Sequence, residues 1–164
     1  MNFQFYLEKL YSSAIFKNFI KENPKVYLCS GFFTIDKEGK DNQIHIDFYI
    51  PDTKKMFSFR LEKGIKKIPI EAITKKIPLE IKPDFDFNFE EVEEMIVNEM
   101  KKQDIRTKLQ KIIFSLQNIK GKNFLICTVF TSLLGLLKIQ IDLKKKKIIL
   151  FEKKSFFDLM KRVK

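Results

Sequence analysis

Strict alternation of apolar and polar residues is the clearest pattern in this chain. It runs through residues 43–50 and recurs at 56–62 and 137–143. Because side chains in a strand point alternately to its two faces, the pattern predicts half-buried strands, with one face on a core and one in water. Less regular apolar segments predict further strands at 26–35, 107–117 and 147–151.

The segment 124–137 is the longest nearly uncharged part of the chain. In residues 124–131, apolar side chains occupy both odd-numbered and even-numbered positions. We therefore predict a strand that is covered on both faces or has one face against a partner. Gly135 interrupts the segment and predicts a bend or bulge. The segment is shorter than the roughly 20 residues that a membrane-spanning helix needs, and we predict no membrane partner.

Residues 3–22 carry apolar side chains at helical spacing, beginning with Phe3, Leu7, Leu10 and Ala14. This spacing predicts one amphipathic helix with a wide stripe that faces the core. Pro24 follows the segment and predicts its end, because the residue before a proline avoids the α conformation.

Capping residues predict two further helices. Asn88 is followed three residues later by Glu91, which is the pattern of a helix N-terminus, and apolar residues continue at helical spacing over 89–103. Ser155 is followed three residues later by Asp158, and this pattern predicts a short C-terminal helix over 156–163.

The order of these elements predicts an α+β fold in which helices pack on an antiparallel sheet. A helix and three strands fill residues 1–62, and a helix, four strands and a terminal helix fill 88–164. We interpret the shared order as a pseudo-repeat within one domain of 164 residues. The connector 63–87 is rich in proline and in Ile and Leu, so we expect it to pack along the domain, with short edge strands at 65–70 and 77–81.

The composition suits a globular core and a reducing compartment. Hydrophobic residues make up 45% of the chain, and its 18 phenylalanines are enough to dominate a core. Cys29 and Cys127 stand far apart among apolar residues, so we predict buried, reduced thiols and a cytoplasmic location. The N-terminal sequence MNFQFYLEKLY lacks the apolar core of a signal peptide.

The net charge of +11 raises the possibility of a nucleic-acid partner. Only three of the 32 basic residues are arginine, whose planar fork suits phosphate and guanine best. The densest basic run lies at a predicted hairpin turn and consists of Lys144, Lys145, Lys146 and Lys147. We predict that these four lysines form either a solvated turn or a contact to a polyanion.

No motif in the chain carries recognisable chemistry. P-loop, dinucleotide-binding and nucleophile-elbow patterns are absent from the sequence. His45 is the single histidine and shares a strand face with Asp47, which could orient it as a base; the alternative is an ordinary surface histidine. Acidic residues at 84–94 are best explained as a solvated helix start. We therefore predict no enzyme activity, no metal and no cofactor.

Two stretches of the sequence resemble known proteins. The second half ends in KIQIDLKKKKII, where Asp142 precedes a hairpin turn and Ile148 follows it. This resembles the PepSY-like, cystatin-type pattern, with lysines in place of the family's usual Thr-Gly turn. The first half, FKNFIKENPKVYLCSGFFTID followed by QIHIDFYIPDTKKMFSF, resembles a group of uncharacterised small archaeal proteins. The resemblance implies an antiparallel sheet with packed helices and a binding or inhibitory role, without catalytic residues.

These observations predict a non-enzymatic cytoplasmic protein that binds a protein partner or a second copy of itself. The reason is the doubly apolar segment 124–137, which offers more apolar surface than one helix layer covers. The predicted interface residues are Leu125, Val129, Leu133, Leu134 and Leu136. The alternative is a nucleic-acid-associated protein that uses its lysine-rich turns.

Overall fold

The computed structural model describes residues 2–71 and 76–155. Its helices are α1 (Phe3–Tyr11), α2 (Ala14–Glu22) and α3 (Phe89–Lys102). Its strands are β1 (Tyr27–Asp36), β2 (Gln43–Ile50), β3 (Lys55–Arg60), β4 (Lys66–Ile70), β5 (Leu109–Ile119), β6 (Lys122–Thr131), β7 (Gly135–Asp142) and β8 (Lys147–Ser155).

The eight described strands form one antiparallel sheet in the order β4-β3-β2-β1-β5-β6-β7-β8. The predicted α+β class with an antiparallel sheet is therefore confirmed. The centre of the sheet is the pairing of β1 with β5, in which Phe33 lies opposite Phe114. This pairing joins segments about 80 residues apart, which local sequence patterns do not specify.

The predicted single helix over 3–22 is wrong, because the chain breaks between α1 and α2 at Ser12 and Ser13. Ser13 is the N-cap of α2, and its Oγ accepts a hydrogen bond from the backbone N–H of Phe16 at 3.3 Å. The same hydroxyl donates to the Leu10 carbonyl at 2.6 Å. Serine hydroxyls compete for backbone groups in this way, so a serine pair can divide a helix that the apolar spacing alone would continue.

The predicted cap of α3 is confirmed. Asn88 Oδ1 accepts hydrogen bonds from the backbone N–H groups of Glu90, at 2.9 Å, and Glu91, at 3.2 Å. These bonds satisfy two donors that a helix start leaves without partners. The N–H of Phe3 donates to the Phe87 carbonyl at 2.9 Å, so the starts of α1 and α3 lie side by side.

The connector is part edge strand and part irregular chain. The strand predicted at 65–70 is present as β4 on the sheet edge, but residues 77–81 form no strand. Instead, the Pro78 carbonyl accepts from the Tyr27 hydroxyl at 2.6 Å, and the Ile81 N–H donates to the Leu28 carbonyl at 2.7 Å. Ile81 is buried in the core. Residues 78–81 of the connector therefore pack against β1.

The three described helices pack on one face of the sheet, and phenylalanines fill the space between. Their rings contact strand residues and one another in edge-to-face, tilted and stacked arrangements. The pairs and their centroid distances include Phe3–Phe33 at 5.9 Å, Phe33–Phe89 at 5.1 Å, Phe89–Phe114 at 5.6 Å, Phe16–Phe48 at 5.0 Å and Phe19–Phe59 at 5.1 Å. The C-terminal helix predicted at 156–163 lies outside the described residues.

Candidate functional site

The second face of the sheet, which we call the helix-free face, carries no helix among the described residues. Its side chains are those that point away from the helix-side core, as the strand register shows: Phe32 lies opposite His45 on β2 and opposite Ser115 on β5. Tyr49, Phe124 and Leu136 also point to this face; they are buried but lie outside the helix-side core. The face therefore mixes apolar and polar side chains.

An apolar strip crosses the middle of the helix-free face. We define it as Phe32 on β1, Ile113 on β5, and Ile126 and Phe130 on β6. All four side chains are half-buried, although they lie outside the helix-side core. Soluble antiparallel sheets usually place polar side chains on the face without helices, so this strip calls for an explanation.

The predicted interface residues lie in three different environments. Leu125 and Val129 are fully buried beneath the helices. Leu136 points to the helix-free face and is buried there. Leu133 and Leu134 lie in the β6–β7 turn and are 90% and 67% exposed. The pleat divides the apolar segment between two faces, so these five residues do not form one patch.

Asp47 is a half-buried carboxylate of the helix-free face. The Ser30 hydroxyl donates to its Oδ2 at 2.8 Å, and Ser58 lies opposite it on β3. Its Oδ1 is buried and has no hydrogen-bond partner among the described residues. Burial raises the pKa of Asp47, against the lowering effect of the Ser58 and Ser30 hydroxyls.

His45 does not pair with Asp47, contrary to the candidate pairing from sequence. Its Nε2 lies 3.1 Å from Oε1 of Glu62, which follows β3 in the chain. Asp47 instead accepts a hydrogen bond from the Ser30 hydroxyl of the neighbouring strand β1. The pairing of β2 with β3 therefore brings Glu62 close to His45, and the spacing of residues along β2 alone does not predict this contact.

The two cysteines are free and buried, as predicted. Burial, followed by the neighbouring charge of Asp47, raises the pKa of the Cys29 thiol to about 12. Burial alone raises the pKa of the Cys127 thiol. Thiols react as thiolates, so at neutral pH neither cysteine is a reactive nucleophile.

Lysines gather at one end of the sheet, which we call the lysine end. The antiparallel topology brings the β5–β6 and β7–β8 turns to the same end, where Leu143 N–H donates to the Asn123 carbonyl at 3.2 Å. Six exposed lysines belong to these turns: Lys120, Lys122, Lys144, Lys145, Lys146 and Lys147. None of the six forms an ion pair within residues 2–71 and 76–155.

Asp142 lies within the lysine end, but its side chain is occupied by the turn. Its Oδ1 accepts from the backbone N–H groups of Lys144 and Lys145, each at 3.0 Å. The Lys145 N–H is the largest lowering influence on the pKa of Asp142, and the charges of Lys145 and Lys122 lower it further. This carboxylate orders the turn and leaves the lysine side chains projecting outward.

The described part of the chain offers neither a cluster of metal ligands nor a membrane-spanning helix. Its His, Cys, Asp and Glu side chains form no group of three that could hold a metal ion. Its helices are too short and too polar to cross a bilayer.

Comparison with known proteins supports the fold. No protein-family model and no curated protein matches the chain. A crystal structure named "putative lipoprotein", from Clostridium difficile 630, is similar in fold, with a TM-score of 0.57. The similarity covers 88% of this chain and 92% of that one at 12% sequence identity. At this identity the similarity shows a shared architecture and no shared function.

Proposed function

We propose that this chain is a non-enzymatic binding module that contacts another protein, either a partner or a second copy, through the apolar strip. The observation that carries the proposal is that Phe32, Ile113, Ile126 and Phe130 form this strip on a face without a described helix. Apolar cores rimmed by polar groups are typical of protein interfaces. Here the rim is supplied by side chains such as His45, Gln117 and Gln140.

The strand order supports the proposed two-unit, PepSY-like layout. Strands β1–β4 run outward from the centre in sequence order on one side, and β5–β8 do so on the other. The second unit, α3 followed by a four-stranded meander, has the element order that the resemblance implies. We propose that residues 1–62 and 88–164 are paired units joined through β1 and β5, and that the binding or inhibitory role of PepSY-type domains extends to this chain.

Replacing two isoleucines of the strip tests this function. Ile113→Thr with Ile126→Thr keeps β-branched side chains, which suits strands, and removes apolar contact area. We expect the natural protein to form a dimer or retain a partner, and we expect the double variant to lose this association by at least ~10-fold. Light scattering after size-exclusion chromatography, together with partner capture, measures both forms of association.

The matched control is Ile149→Thr, which makes the same change at an exposed position on β8, away from the strip. We expect this variant to associate as the natural protein does. A natural protein that is monomeric and captures nothing would contradict the proposal, and so would a double variant that associates normally.

A polyanion contact is the second candidate function, and it is favoured by the lysine end. The sequence prediction named the run from Lys144 to Lys147, and the topology adds Lys120 and Lys122 from the neighbouring turn. Clustered, unpaired cations attract phosphate groups and release counterions on binding. The contact would be largely independent of base sequence, because lysine is a point charge without the planar fork of arginine.

We further propose a cytoplasmic location. It is supported by the two buried free thiols, Cys29 and Cys127, which suit a reducing compartment. The C. difficile neighbour is named a putative lipoprotein, but that name belongs to the neighbour. Protease treatment of cells that express this chain tests the location, because a cytoplasmic chain should be digested only after the cells are opened.

A further inference from the structure

The β6–β7 turn presents two leucines to solvent. Leu133 is 90% exposed and Leu134 is 67% exposed, which are the highest values among the large apolar residues described. Both have left-handed backbones, with φ of 61° and 57°. Leucine disfavours this conformation, which glycine and asparagine adopt more easily. Exposed leucines in a strained turn serve neither core packing nor turn stability, so they point to a binding role. We call these two residues the leucine tip.

The leucine tip is held in place by the residues around it. Ser132 exchanges two hydrogen bonds with Lys108: its Oγ accepts from the Lys108 N–H at 2.9 Å, and its N–H donates to the Lys108 carbonyl at 2.8 Å. Gly135 closes the turn against Thr131, where a Cβ would come within 2.0 Å of Thr131 Oγ1. The chain therefore projects the two leucines from a fixed base.

Cationic side chains surround the leucine tip. Arg106, Lys153 and Lys154 line the same surface cavity as the two leucines, and Lys108 is exposed beside Ser132. Asp104 pairs with Arg106 at 3.2 Å, and Glu152 pairs with Lys154 at 3.5 Å. Lys108 and Lys153 form no ion pair in the part of the chain that the structure describes. The surroundings of the tip thus carry a net positive charge.

We propose that the leucine tip inserts into the surface of an anionic phospholipid bilayer, where Lys108, Arg106 and Lys153 contact the headgroups. Leucines that project between cations fit the boundary between acyl chains and anionic headgroups. A protein pocket would need acidic groups placed to match the cations around the leucines. An anionic bilayer supplies phosphate groups around the leucines at any orientation. The site lies at the opposite end of the sheet from the lysine end.

This inference differs from the sequence prediction of no membrane partner. That prediction was based on the length needed to span a bilayer, and peripheral attachment requires no spanning segment. Only the tertiary structure shows that Leu133 and Leu134 leave the core while the apolar residues on either side remain buried.

The decisive variant is Leu133→Asn combined with Leu134→Gly. Asn-Gly is the preferred pair for a turn with two left-handed residues, so the change removes the apolar side chains and relaxes the backbone. We expect the melting temperature to stay the same or rise, which separates a loss of binding from unfolding. Ile77→Ser is the matched control, because Ile77 is 64% exposed in the connector.

Flotation with lipid vesicles tests the proposal on the whole 164-residue chain. We expect binding to vesicles that contain phosphatidylglycerol, weaker binding to pure phosphatidylcholine, and a loss of about 100-fold in the Asn-Gly variant but none in Ile77→Ser. Absence of binding by the natural protein would overturn the proposal. Equal binding by the Asn-Gly variant would also overturn it and would assign the attraction to lysines alone. The proposal would also be overturned if the Asn-Gly variant changed its oligomeric state in the absence of lipid. The leucine tip would then be a contact between two copies of the chain.

Discussion

At the scale of single residues, Asp47 shows how burial changes the behaviour of one carboxylate. Its pKa is raised because desolvation outweighs the hydroxyls of Ser58 and Ser30. Asp142 shows the opposite behaviour, because the backbone N–H groups of the β7–β8 turn stabilise its charge and lower its pKa. The two carboxylates therefore contribute to stability with opposite dependence on pH.

The change Asp47→Asn tests this difference in sign. A carboxyl with a raised pKa in the folded state stabilises the fold most at low pH, and that contribution is lost as pH rises from the ordinary value near 4 through the raised value. The substituted amide stays neutral at every pH, so we expect Asp47→Asn to gain stability relative to the natural protein as pH rises. Urea unfolding across a pH series measures the difference.

Asp142→Asn is the companion variant with the opposite expectation. The contribution of the natural carboxylate is present above the unfolded pKa and is lost as pH falls through the lowered value, so this variant should lose relative stability as pH rises. A flat difference for Asp47→Asn, or the same sign for both variants, would show that burial does not control the Asp47 charge.

At the scale of elements, the division of the N-terminal helix depends on side-chain hydroxyls rather than on apolar spacing. The apolar stripe continues across the break, since Phe3, Leu7, Phe16 and Phe19 are all buried. On the two sides of the break, Phe3 of α1 contacts Phe33 of β1 and Phe16 of α2 contacts Phe48 of β2. The Ser13 cap supplies a hydrogen-bond acceptor to the start of α2.

We expect Ser13→Ala to destabilise the fold by about 1 kcal/mol, because the first turn of α2 loses its capping oxygen. Ser12→Ala is the matched control one residue earlier. The Ser12 hydroxyl donates to the Lys9 carbonyl at 3.1 Å on an exposed surface, so its loss should change stability by less than about 0.5 kcal/mol. Equal effects of the two variants in thermal unfolding would contradict the role given to the cap.

At the scale of the whole molecule, topology places the lysine end and the leucine tip at opposite ends of the sheet. The lysine end, the leucine tip and the apolar strip are built from residues that are spread along the second half of the chain, with Phe32 added from the first. Antiparallel hairpins bring every second turn to the same end of a sheet. The distribution of charge over the surface of this molecule therefore depends on the position of its turns, which the net charge does not show.

The polyanion contact is tested by charge reversal at the two ends of the sheet. We expect Lys144→Glu with Lys145→Glu to weaken binding to labelled RNA and DNA and to reduce the slope of log affinity against log salt by about 2. Lys40→Glu with Lys63→Glu makes the same change in net charge at the opposite end and should have a smaller effect. Fluorescence anisotropy across a salt series measures both. Equal losses would mean that only net charge matters.

Several features could be predicted from the sequence because they depend on neighbouring residues. Alternation set the bounds of β2 correctly at Gln43 and Ile50, and the Asn88 cap marked the start of α3. Burial of Cys29 and Cys127 followed from their apolar surroundings in the chain. In each case the information lies within a few residues, where backbone geometry and side-chain chemistry act directly.

Other features were decided only by tertiary structure, because they depend on contacts between distant segments. The pairing of β1 with β5 determines which strands lie at the centre, and the helix layer determines which face of 124–131 is buried. The sequence by itself determined that this segment is apolar on both faces. Only the fold shows that the leucines of 124–137 lie beneath helices, on the open face and at an exposed turn, because the pleat and the turn send neighbouring side chains in different directions.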